Sequence, residues 1–85
     1  MLILEHPTKI IHDHITYRVQ ICGEERPDGT WEGWLEFHPT ESSQPVLRTD
    51  QETSQPNRAA VEYWAGGLEP IYLKGALARA QGRLP

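Results

Sequence analysis

The chain has 85 residues, a net charge of −4 and an apolar content of 38%, which is the size of one small domain with a modest core and little room for a second. It lacks the clustered Lys and Arg by which a general nucleic-acid binder displaces counterions from phosphates, so nucleic acid is not the partner its charge selects. A lone cysteine, Cys22, excludes an intramolecular disulfide, a cysteine zinc cluster and a redox pair. It points to a reducing, cytoplasmic setting, and no apolar run reaches the length of a signal peptide or a membrane span.

Residues 2–5 and 8–11 are short β-leaning pieces interrupted by Pro7. Proline cannot donate to a ladder, so these pieces suit an irregular edge strand. The segments 15–22 and 31–38 alternate apolar and polar side chains and flank Pro27-Asp28-Gly29, the pattern of a β-hairpin. Its buried face is Ile15, Tyr17, Val19 and Ile21 with Trp31, Gly33, Leu35 and Phe37. The opposite face carries His14, Thr16, Arg18, Gln20 and Cys22 beside Glu32, Trp34, Glu36 and His38. Trp34 stands out there. A large ring among polar neighbours must be covered by another segment, shielded by those neighbours or offered to a partner.

Residues 38–45 contain Pro39, Ser42, Ser43 and Pro45 and read as an exposed connection, after which 46–49 supply a short third strand. Residues 50–55 are polar throughout. A helix is expected over 56–65, with Pro56 at its first position, Ala60, Val61 and Trp64 on its apolar stripe and Arg58 spaced to pair with Glu62. Gly66-Gly67 offers a left-handed stop. A second helix is expected over 70–81, opened by Pro70 and seamed by Leu73, Leu77, Ala80 and Leu84. The expected fold is therefore α+β: a small antiparallel sheet of three to four strands around the 15–22/31–38 hairpin, with two C-terminal helices packed on one face, all in a single domain. So small a core makes oligomerisation a reasonable supplement.

Four groups of residues carry candidate chemistry. In an extended chain, His12 and His14 project to one side and share the spacing of a metal pair, which His6, His38 or Glu36 would complete. Glu36 and His38 are neighbours on one strand face, where a carboxylate can orient an imidazole for acid–base work, with His14 as an alternative across the hairpin. Residues 49–58 are rich in hydrogen-bonding side chains ahead of a helix N-terminus, the setting either of an anion site or of capping by Thr53, Ser54 or Asn57. Trp34 with Arg18, Gln20 and Glu36 has the composition of a protein-binding hot spot. No phosphate-binding loop, paired acids or activated nucleophile accompanies them: Cys22 precedes Glu24 and Glu25, whose charges disfavour a thiolate. The expectation is a non-catalytic protein-interaction or self-association module without a cofactor, with no membrane role. Nucleic-acid binding through Arg48, Arg58, Lys74, Arg79 and Arg83 is the alternative, and metal binding through His12 and His14 a further one.

The order of a hairpin, a short strand ending near Thr49 to Thr53 and a helix beginning with Ala59-Ala60 resembles the small antitoxin domain of the HicB family over about residues 15–65. That family's glycine-containing run after the third strand is replaced here by Thr49-Asp50-Gln51-Glu52-Thr53, and no helix-turn-helix or ribbon-helix-helix segment follows. The resemblance implies a β-β-β-α layout and a cytosolic interaction or antitoxin-like regulatory role, and it assigns no binding residue.

Overall fold

The computed structural model describes residues 1–41 and 43–82. Its strands are β1 (Leu2–Glu5), β2 (Ile10–His12), β3 (Ile15–Glu25), β4 (Trp31–Pro39), β5 (Leu47–Arg48) and β6 (Thr53–Gln55), followed by helices α1 (Arg58–Gly66) and α2 (Pro70–Gln81). The long β3–β4 hairpin is the centre of one antiparallel sheet. β1 and β2 both pair with the free side of β3, and β5 and β6 both pair with the free side of β4. Each edge is thus two short strands with a break between them, a form that resists edge-to-edge aggregation.

Six strands exceed the three to four expected, for two reasons. The N-terminal stretch divides around Pro7 into two edge strands rather than one. At the other edge, the polar residues of β6 pair with β4 through Trp31↔Gln55, Glu32↔Ser54 and Gly33↔Thr53. An edge strand needs only its ladder bonds and a place to pack, and Gly33 provides that place. A Cβ on Gly33 would lie 2.9 Å from the Thr53 methyl and 3.4 Å from Val61, so β6 and α1 approach β4 where a side chain is missing.

Period-two alternation sends Tyr17, Val19, Ile21, Leu35 and Phe37 to the helix-covered face, where all are buried; Ile15 and Trp31, expected beside them, are half-buried. Tyr17 and Phe37 meet edge to face, with ring centroids 6.4 Å apart. Val61 and Ala65 of α1, with Leu73, Ala76, Leu77 and Ala80 of α2, close the core from above, and Ile10 and Leu47 close it at the two sides. Each large aliphatic or aromatic side chain so buried contributes about 1.5–3 kcal/mol. Leu84, assigned by its spacing to the α2 seam, lies outside the described residues, as do Ser42 and Arg83.

The first helix starts two residues later than its proline suggests. Asn57, in extended backbone, caps it: its Oδ1 accepts the Ala60 N–H at 2.8 Å, so Pro56 precedes the cap. Nor does α1 end on a left-handed glycine. Gly67 has φ −94°, and the helix tightens into i→i−3 bonds from Gly67 N–H to the Trp64 carbonyl and from Leu68 N–H to the Ala65 carbonyl, which need no left-handed residue. The second helix keeps its expected bounds, with Pro70 in its first turn. Arg58 and Glu62 pair at 3.4 Å on α1. Among the described residues no helix is long and apolar enough to cross a membrane.

Candidate functional site: the helix-free sheet face

Both helices lie on one side of the sheet, so the other face is built from strand side chains alone. The register sets a row of residues across four strands: Glu5 (β1) faces Gln20 (β3), Gln20 faces Glu36 (β4), and Glu36 faces Arg48 (β5). Arg18 stands opposite His38 and Cys22 opposite Trp34. Gln20 donates to Glu5 Oε1 at 3.3 Å, and Arg18 reaches the same oxygen at 3.5 Å.

Glu36 is the hub of the row. Trp34 Nε1–H donates to its Oε2 at 3.1 Å, and His38 Nε2 lies 3.0 Å from its Oε1; a carboxylate only accepts, so that ring nitrogen carries the proton. Partial burial pushes the Glu36 pKa up. The bonds from Trp34 and His38, with the nearby His38 and Arg48 charges, outweigh it and hold the carboxyl below its ordinary value. Trp34 is only 7% exposed, because the Arg48 guanidinium lies over its ring, 4.3 Å from the centroid. Within the chain, a cation–π contact from β5 thus shields this ring. Arg18 is exposed, and Gln20 and Glu36 are half-buried around it.

The acid–base pair expected from spacing is present as Glu36–His38. Cys22 is buried, and burial together with the Glu36 charge pushes its thiol up to about 11. His14 does not face this pair, since Arg18 occupies the position across from His38.

His12 and His14 do not share one side of an extended strand. Asp13 (φ 50°) and His14 (φ 66°) are both left-handed and form the two-residue turn between β2 and β3, with His12 opposite Ile15 as the closing pair. Asp and His tolerate this conformation better than most residues, and two in succession reverse the chain. His12 instead lies 3.3 Å from Asp13. The residues proposed to complete a metal set are engaged elsewhere: His38 with Glu36, and His6 between the Thr8 N–H on Nδ1 (3.0 Å) and the Leu68 carbonyl on Nε2 (2.9 Å). Among the described residues no three His, Cys, Asp or Glu side chains converge on one point.

The polar stretch 49–58 is consumed internally. The hydroxyl of buried Thr49 accepts the Leu35 N–H at 3.0 Å, filling the ladder where β5 ends and β6 has not begun. Gln51 and Ser54 accept from Arg26 and tie the hairpin tip to β6. Glu52 accepts from Tyr72 Oη at 2.5 Å and from Arg79 Nε and Nη2 at 3.2 and 2.5 Å. Sequence reasoning missed these ties, because the partners stand 14 to 28 residues apart and no local pattern marks them. The cations considered for nucleic acid are dispersed as well: Arg48 over Trp34, Arg58 on Glu62, Arg79 on Glu52, and Lys74 beside β2.

No protein-family profile, curated protein or solved structure matches this chain.

Proposed function

We propose that this chain is a non-catalytic protein-binding module that uses the helix-free face of its sheet. The supporting observation is the preordered row Glu5–Gln20–Glu36–Arg48, with Arg48 held over Trp34. Arginine on an aromatic ring is among the residue combinations that anchor interfaces, and an arginine already fixed in place loses less entropy on binding. Acids and bases are interspersed on this face: Glu5 and Glu36 against Arg18 and Arg48. It suits a partner of mixed charge, a second copy of the chain included, since a two-fold interface requires self-complementarity.

The test is site-specific photo-crosslinking in cells, with the probe at Gln20 in the middle of the face and, as control, at Glu62 on the outer side of α1. A discrete adduct from position 20 that is weakened by Arg48→Ala and missing from position 62 supports the reading; twice the chain mass would identify self-association. No adduct at position 20, or equal adducts at both positions, refutes it.

A further inference from the structure

A second surface, separate from the helix-free face, lies where α2 passes the sheet edge at β2. The register Ile10↔Tyr17, Ile11↔Thr16, His12↔Ile15, closed by a two-residue turn, makes the first and last of these the hydrogen-bonded pairs of the ladder. The Thr16 main chain must then point away from β2, and it does: its carbonyl accepts the Thr40 N–H at 2.9 Å. By the same alternation, the N–H and C=O of Ile11 point outward from the edge of β2 with which no described strand pairs. β1, the other strand on this side, pairs with β3 farther along, at residues 20–22, and leaves β2 uncovered. The Ile11 side chain is 72% exposed.

Beside this edge runs a groove of about 150 Å³ between β2 and α2, with Ile10, Leu77 and Ala78 as its apolar lining and His12, Lys74 and Gln81 as its polar residues. That volume holds one benzene-sized group, hence one branched aliphatic side chain. Among the described residues no carboxylate lines the groove, and the Lys74 ammonium has no hydrogen-bond or ion-pair partner. His12 has Asp13 at 3.3 Å, on the turn, so among the described residues of the groove Lys74 is the cation open to a ligand.

We propose that this groove takes an extended, acidic–aliphatic peptide segment of a partner protein as an added strand. Its main chain exchanges hydrogen bonds with Ile11, an aliphatic side chain enters against Ile10 and Leu77, and a carboxylate meets Lys74. An open edge strand flanked by a helix is the geometry that β-strand addition requires: main-chain bonds give affinity and the pocket gives selectivity. The proposal shares with the helix-free face only the class of partner, and either surface can fail its test without the other.

The probes are two blocked peptides, one alternating valine with glutamate and one alternating valine with lysine, titrated into the intact chain by NMR with amide exchange measured in parallel. The glutamate peptide is expected to shift the amides of Ile11, His12, Ala78 and Gln81 and to slow exchange at Ile11. Lys74→Glu, an exposed substitution, should weaken that peptide by about fivefold, as loss of a rim ion pair implies, and favour the lysine peptide instead. Binding without slower exchange at Ile11, shifts centred elsewhere, equal affinity of wild type for the two peptides, or no binding of the glutamate peptide at millimolar concentration would each overturn the proposal.

Discussion

Replacing Glu52 by Ala removes the carboxylate that joins the β5–β6 connection to α2. Its side chain is 9% exposed, whereas Arg79 is 52% exposed; the two halves of the contact therefore differ in worth. The bond from Tyr72 to a shielded, charged acceptor is worth about 1.5–3 kcal/mol. The bonds from half-exposed Arg79 are screened by water and add at most about 1 kcal/mol. The expected loss is about 2–3 kcal/mol, or roughly 10–20 °C in Tm for a domain of this size. Urea unfolding followed by tryptophan fluorescence should show a lower midpoint at unchanged slope. Glu62→Ala is the control, because the Arg58–Glu62 pair is about half exposed on both sides and its loss should cost about 0.5 kcal/mol or less. A Glu52→Ala midpoint no lower than that of Glu62→Ala would refute the reasoning. Alkaline pH offers a second reading of the same contact. Burial first, and then the bond to Glu52, push Tyr72 from 10.0 up to about 12. The unfolded chain thus loses this proton before the folded one, and the stabilisation present below pH 10 is lost between about pH 10 and 12. Tyr72→Phe should flatten that part of the stability profile.

Thr49→Val leaves the buried Leu35 N–H without its side-chain acceptor and should cost about 1–3 kcal/mol, whereas Thr49→Ser retains the bond; amide exchange at Leu35 distinguishes the two directly. Gly33→Ala forces a Cβ to 2.9 Å from the Thr53 methyl and should destabilise by about 1–3 kcal/mol, as overpacking does; Thr53→Ser, which deletes that methyl, should recover part of the loss in the double variant. Cys22, buried and with its thiol pushed up to about 11, should react with a thiol reagent at pH 8 only at the rate of unfolding, and labelling as fast as that of a free thiol would contradict its burial. Because burial raises its pKa from 9.0, the contribution of Cys22 to stability is present below pH 9 and lost as pH rises toward 11, so Cys22→Ser should remove that component of alkaline destabilisation.

Wherever a local rule suffices, the amino-acid sequence determined this protein directly. Alternation over 15–22 and 31–38 set the hairpin and its two faces, because a strand turns each successive side chain by half a revolution. Proline at 70, helical spacing to Ala80 and the Arg58–Glu62 interval defined the helices for similarly local reasons. The same alternation placed Glu36 beside His38 and put Trp34 on the helix-free face. Tertiary structure decided the rest. His12 and His14 separate because a left-handed turn between strands replaces the extended backbone that would have aligned them. The polar segment 53–55 becomes a strand because Gly33 leaves room for it, a fact held by the partner strand. Arg48 covers Trp34 because β5 pairs with β4 in one particular register, and Glu52 finds Tyr72 and Arg79 because α2 passes above it. Contacts between residues far apart in the chain depend on register and helix placement, which the packing of the whole core sets and no short stretch of residues encodes.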